Sequence, residues 1–244
     1  MYADDLVLLS SSVLELQKML DTCSMVGENL GITFNTKKSQ SMVIGGRYNA
    51  NPAHLTLNNL PLRWVDKMEY LGVSFRRAKQ FEVDFSDTRR KFFVSVNSIL
   101  YHSKFSCDLV KLQLIESHCL SILTYAMDCL NTPKVKLFEI SSWWNTVYRK
   151  IFGYHKWESV KEVICRLGRL DFPHLLNLRR SSFLQNMSLS GNFVFASIAM
   201  SNKCICEMLM LEHTSRVKLC WSLAKIKAST YALFKTTCGV EACV

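Results

Sequence analysis

The chain has 244 residues, 30 Lys+Arg against 20 Asp+Glu, and apolar side chains at 49 % of its positions. That balance argues against a disordered tail as the main content, and 9 Gly with 4 Pro argue against a turn-rich β-sandwich or a low-complexity chain. The net charge of +10 makes a negatively charged partner the first expectation. The charge is unevenly spread: residues 1–75 balance at −1, residues 76–180 at +8 and residues 181–244 at +3. A boundary is therefore expected near Phe75–Arg77, giving a front section 1–75, a basic middle 76–172 and a rear 173–244. No basic segment precedes an apolar run at the start, so no export signal is expected. The 10 Cys are then expected as reduced thiols in an intracellular, reducing compartment. Cys204, Cys206, Cys220, Cys238 and Cys243 lack the paired spacing of a zinc knuckle. The longest uncharged stretch, Ser181 to Asn202, is too polar for a membrane span, so no membrane partner is expected.

The front section alternates between strand and helix signals. Leu6–Leu9 is an apolar run of strand length. Ser12-Val13-Leu14-Glu15 reads as a capping box opening a helix, with Val13, Leu16, Leu20, Cys23, Val26 and Leu30 at helical period. Gly31 supplies a left-handed stop. Ile32–Phe34 and Ser41–Ile44 read as strands. His54–Leu57 and Leu60–Leu62 flank the turn-prone Asn58-Asn59 and read as a hairpin. Tyr70–Phe75 reads as a further strand. The remainder is helical: a helix capped by Ser86 or Asp87, one over Asp108–Ala126 and one over Leu137–Phe152 stopped by Gly153. Further helices are expected at 158–167, 174–190, 194–211 and 214–235. The fold class is α+β, with short antiparallel strands and one helix in front of an all-α remainder.

Tyr2-Ala3-Asp4-Asp5 is the sharpest local feature. Adjacent carboxylates leading into an apolar run are costly unless paired or bound to cations, and Mg2+ takes carboxylate oxygens while leaving sites open for phosphate. Alone the tetrad is weak, since it also fits an Asp-Asp turn in solvent. It is followed by Gly31-Ile32-Thr33-Phe34-Asn35-Thr36-Lys37-Lys38 and then by Tyr70-Leu71-Gly72-Val73. In that order and spacing the three segments resemble the third, fourth and fifth palm motifs of reverse transcriptases, in the branch of retrotransposons without long terminal repeats. Lys111–Ile115 with Cys119–Ala126 resembles the helix behind that palm, where many relatives carry Pro and Gly in place of Ser121 and Ala126. Arg149–Gly153 and Leu167–Leu170 fit as well, and the resemblance covers residues 1–172.

The resemblance implies roles residue by residue. Asp4 would bind the catalytic metal, with Asp5 as its neighbour, so both count as catalytic and metal candidates for Mg2+. Tyr2 would sit beside the primer terminus. Lys38 would lie near the incoming dNTP as electrostatic stabiliser or proton donor. Leu71 and Gly72 would form the primer grip. Arg76, Arg77, Arg89, Arg90 and Lys91 would begin a helical thumb that follows the phosphates of an RNA template paired with a DNA primer. The resemblance also suggests a nuclear location. A reverse transcriptase needs a further metal-binding Asp, a nucleotide-selecting helix and fingers. These are expected on a missing N-terminal half, so the chain is expected to be a fragment without polymerase activity.

Blander readings stand beside these. Lys38 also reads as a solvated loop lysine, and Tyr70–Val73 as any core strand. Trp143-Trp144 could stack bases but sits at core spacing with Val147, Tyr148 and Ile151. Phe92-Phe93 is expected in the core, and so is His118, on an apolar helix face. Two other functions remain open: a non-catalytic basic nucleic-acid-binding remnant, and a helical structural or interaction protein whose tetrad is accidental.

Overall fold

A computed structural model describes residues 4–189, 191–194, 197 and 223–238. The architecture is mixed α+β, with small sheets and several helices. It divides into a front unit ending at Phe85 and a helical unit beginning at Ser86.

The front unit is organised by one helix, α1 (Val13–Asn29). Ser12 is extended, and its Oγ accepts the Glu15 N–H at 3.1 Å, satisfying one orphan donor of the first turn. The other half of the expected capping box does not close. The Glu15 carboxylate takes the hydroxyls of Ser10 and Ser11 instead, and the Ser12 N–H donates to Ser10 Oγ at 3.3 Å. At the far end Gly31 sits at φ +67°, as the sequence requires. Gly31 N–H donates to Glu28 O at 3.2 Å and Ile32 N–H to Gly27 O at 2.8 Å, the two bonds of a Schellman stop.

The short strands are β1 (Gln40–Ser41), β2 (Thr56–Leu57), β3 (Leu60–Pro61), β4 (Arg63–Trp64), β5 (Lys67–Tyr70), β6 (Val73–Arg76) and β7 (Glu82–Val83). β2 and β3 form the expected hairpin, with Asn58 at φ +51° and Asn59 at φ +59°. Both central residues lie in the left-handed region that a two-residue type I′ turn demands, and Asn tolerates it. Its edge is met by a side chain. Gln17 Nε2 donates to Thr56 O at 2.9 Å and Gln17 Oε1 accepts the Thr56 N–H at 2.8 Å, so one carboxamide replaces a strand neighbour. Leu20, Leu55, Leu57 and Leu62 form the buried centre, with Leu8, Val13, Leu16, Phe34 and Trp64 packed around it. Each buried leucine is worth about 1.5–3 kcal/mol over exposure.

Four expected strands are corrected. Leu6–Leu9 and Ile32–Phe34 are not strands: they carry no ladder among the described residues, and Leu8 and Phe34 are held by packing on the leucine core instead. Ser41–Ile44 contributes only β1, and it pairs with β4 in parallel, not antiparallel. Tyr70–Phe75 is not one strand. It folds back at Leu71-Gly72, so that β5 and β6 pair antiparallel with Tyr70 opposite Val73. β7 adds to β6, which is why the front unit runs past the charge boundary at residue 75 to Phe85.

The helical unit holds α2 (Ser86–His102), α3 (Asp108–Thr124), α4 (Lys134–Phe152), α5 (Lys161–Arg166), α6 (Phe172–Ser188) and α7 (Leu223–Thr237). Packing runs α2 on α3, α3 on α4, α4 on α6 and α6 on α7. The described residues of α6 and α7 thus pack onto the helices before them, within the same unit. The expected helix at 194–211 lies largely outside the described residues, and the one at 214–235 is described only as α7.

Apolar residues at helical spacing become the core, as the period requires. Trp143 and Trp144 are buried, with Val147, Tyr148 and Ile151. Phe92, Trp144, Tyr148 and Phe152 form a column with ring centroids 6.3, 5.8 and 6.3 Å apart. Phe93 packs edge-on against Phe92 at 5.2 Å. His118 is exposed on α3, contrary to expectation: the core-facing line there is Leu112, Ile115, Cys119 and Leu123. α4 ends at Gly153, at φ +71°, where Tyr154 N–H donates to Arg149 O at 3.0 Å. α6 is N-capped by Asp171, whose carboxylate accepts the His174 N–H at 3.1 Å.

α3 ends at a residue in an unfavourable conformation. Ala126 has φ +58°, a region in which a Cβ is crowded and glycine is at ease. The turn is held from α6: Arg180 donates to Met127 O and Leu130 O at 3.2 and 2.9 Å, and Arg179 pairs with Asp128 at 3.2 Å.

Candidate nucleic-acid interface

In the front unit, Asp4 and Asp5 are both exposed, and Tyr2 lies outside the described residues. Among the described residues no group of three or more His, Cys, Asp or Glu gathers where it could hold a metal ion. Two adjacent carboxylates are short of the ligand set that a two-metal centre takes, so these residues by themselves do not fit a catalytic Mg2+ pair.

Lys38 is placed by Asn35. The Asn35 carboxamide oxygen accepts the N–H groups of Lys37 and Lys38 at 3.1 and 3.2 Å. Its backbone carbonyl accepts from Ser39 N and Ser39 Oγ at 3.0 and 2.9 Å. This Asx turn gives the Asn–x–x–Lys spacing a physical meaning: the Asn closes one turn and leaves the Lys38 side chain exposed on it.

Leu71 and Gly72 form the tip of the β5–β6 hairpin, at φ +48° and +75°. Glycine meets that demand without cost. Leucine does not: a left-handed φ costs an ordinary side chain about 1–2 kcal/mol. Bulky residues with positive φ are uncommon and concentrate where the backbone must take a set shape.

The five arginine and lysine candidates fall into different states. Arg77 is 18 % exposed and built into the fold. Its Nη1 pairs with Asp66 at 3.2 Å, its Nη2 donates to Ala50 O at 2.7 Å and its Nε donates to Tyr48 O. That guanidinium organises the 48–50 turn and is held there by all three partners. Arg76 is 57 % exposed and reaches Asp84 at only 3.7 Å, while Lys67 takes the same carboxylate oxygen at 3.1 Å. In the helical unit, Arg89, Arg90 and Lys91 are exposed on the first turns of α2. Arg89 stands over the Trp143 ring at 5.6 Å, and Arg90 reaches Asp87 at 3.8 Å. Exposed pairs of that length are worth well under about 1 kcal/mol, so a phosphate can displace them.

Behind the surface, α3 and α4 are tied by a partly buried polar group. Arg169 pairs with Glu116 at 3.0 Å and donates to Gln113 Oε1 at 3.0 Å, and Tyr148 donates to Glu116 at 3.5 Å. Burial pushes the Glu116 carboxyl up, against the pull of Arg169, and burial pushes the Tyr148 hydroxyl up as well. These groups brace the helices. Trp157 belongs to no motif, yet Gly153 ends α4 just before it, a signal that its indole falls in a loop and not in a core.

No family model, no curated protein and no solved structure matches this chain.

Proposed function

We propose that the chain is the rear palm and thumb of an RNA-directed DNA polymerase of the kind carried by retrotransposons without long terminal repeats. In this reading the helical unit grips an RNA–DNA duplex through phosphates. The chain alone does not extend a primer, because Asp4 and Asp5 need a further carboxylate from another segment. The observation that carries the reading is Leu71, held at φ +48° at an exposed hairpin tip. The sequence resemblance puts the primer grip at Leu71-Gly72, the tip of a two-residue hairpin whose turn sets both residues in the left-handed region. The exposed cations of α2 and the Asn35 turn that displays Lys38 support it further.

The test uses the full chain and a labelled RNA–DNA duplex in fluorescence anisotropy. Binding is expected to weaken steeply with salt. Arg89→Ala, Arg90→Ala and Lys91→Ala combined should flatten the slope of log affinity against log salt by about 0.9 for each phosphate contact removed. An unchanged slope, or no duplex binding at low salt, refutes the duplex grip. Primer extension in Mg2+ is expected to be absent. Extension that Asp4→Asn abolishes would overturn the claim of inactivity.

The reading as a non-catalytic binding remnant is favoured by the two exposed, ungathered carboxylates. It separates from the first in a reconstituted mixture with a polymerase N-terminal half from this retrotransposon branch. Asp4→Asn abolishes extension there under the first reading, and extension never appears under the second.

A further inference from the structure

We infer that the loop after α4 is a stacking site for an unpaired nucleobase, with Trp157 as its platform. Trp157 is 81 % exposed, although tryptophan is on average a well-buried side chain. It is not loose. Its indole lies against the His155 ring with centroids 4.8 Å apart and planes only 3° from parallel, leaving the other indole face to solvent. The loop beneath is tied at several points. The His155 N–H donates to the Glu158 carboxylate, and the Glu158 N–H returns to His155 O at 3.1 Å. Arg149 Nε donates to Glu158 O at 3.0 Å, and Gly153 turns the chain out of α4.

An aromatic face fixed before binding loses little entropy on binding. Base–aromatic stacking accepts any base, because every base has a π face. The surrounding charge selects a polyanion. Arg149, Lys150, Lys156 and Lys161 lie between residues 149 and 161, while the single acid there, Glu158, is engaged in closing the turn. Lys156 and Tyr154 are themselves exposed beside the stacked pair. A single strand thus finds a π surface and the Lys156 ammonium in one loop, with the exposed Lys150 and Lys161 on the helix ends that flank it. The site lies within the helical unit and is separate in sequence from the cations of α2. It rests on the proposed function only in taking the ligand to be a polynucleotide.

The test compares three fluorescein-labelled probes on the full chain at low salt: an octathymidylate, an abasic octamer of equal backbone charge, and the RNA–DNA duplex. Trp157→Ala should weaken octathymidylate binding about five- to hundred-fold, the range expected for one lost stack, and leave the abasic octamer and the duplex unchanged. Trp157→Phe should restore much of the loss. At 81 % exposure the alanine variant is expected to fold, and its circular dichroism checks this. Equal affinity for octathymidylate and the abasic octamer overturns the inference. So does a Trp157→Ala variant that binds octathymidylate normally but loses affinity for phosphatidylserine vesicles. Duplex binding without octathymidylate binding overturns the stacking site alone, octathymidylate binding without duplex binding overturns the duplex grip alone, and the absence of both overturns the two together.

Discussion

Gly27 lies within α1, where alanine is normally about 1 kcal/mol better than glycine. The structure reverses that sign. A Cβ added at residue 27 would stand 2.8 Å from Ile32 O and 3.0 Å from Phe34 Cε2. Neither neighbour moves away easily. The Ile32 peptide is fixed by its own N–H bond to Gly27 O at 2.8 Å, and Phe34 packs on the leucine core. Relieving such overpacking costs about 1–3 kcal/mol, and opening the Schellman stop costs about 1 kcal/mol more. Against the helix-propensity gain, Gly27→Ala should lose about 1–3 kcal/mol in the front unit. Native-state hydrogen exchange reads this directly: protection of the α1 amides should fall about five- to 150-fold. Gly31→Ala separates the causes, because nothing lies within 4 Å of a Cβ there and only the φ of +67° resists it. Equal or greater protection in Gly27→Ala would refute the close approach of α1 to the chain that follows it.

Two further outcomes follow from local geometry. Ala126→Gly should raise the thermal midpoint of the chain, with a gain of about 0.5–1 kcal/mol, because relief of the left-handed strain at φ +58° outweighs the added freedom of the unfolded chain; an unchanged or lower midpoint refutes it. The Cys119 thiol, pushed up to about 11 by burial, stays protonated at pH 8, whereas Cys107 is exposed. Iodoacetamide followed by mass mapping should therefore label Cys107 quickly and Cys119 only after unfolding, and comparable rates would contradict the placement of Cys119 in the core.

Much of the local chemistry was legible in the chain alone. Ser12 starts α1 and Gly31 stops it, Asn58-Asn59 turns a hairpin and Gly153 ends α4. Each of these signals acts over a few residues, through one side-chain bond or one allowed φ, so no distant partner is needed to decide it. The helical period likewise put Trp143 and Trp144 in the core, where they are buried.

Other features depended on what lies far along the chain. Leu6–Leu9 and Ile32–Phe34 have strand composition, but β propensity acts only where a partner edge is in register, and Leu8 and Phe34 reach the core without one. The parallel pairing of β1 with β4 joins segments that no local rule connects. Arg77 and Arg76 are neighbours of equal charge. Only the arrival of Tyr48, Ala50 and Asp66 makes one an internal brace and leaves the other on the surface. His118 shares its helix with a buried line yet faces solvent, because the packing of α3 against α2 and α4 chooses which face is covered. The sequence by itself determined where elements begin, end and turn, because those choices are local. The tertiary structure decided which apolar runs pair, which charges are consumed and which aromatic rings are left outside, because each of those depends on a partner brought from elsewhere in the chain.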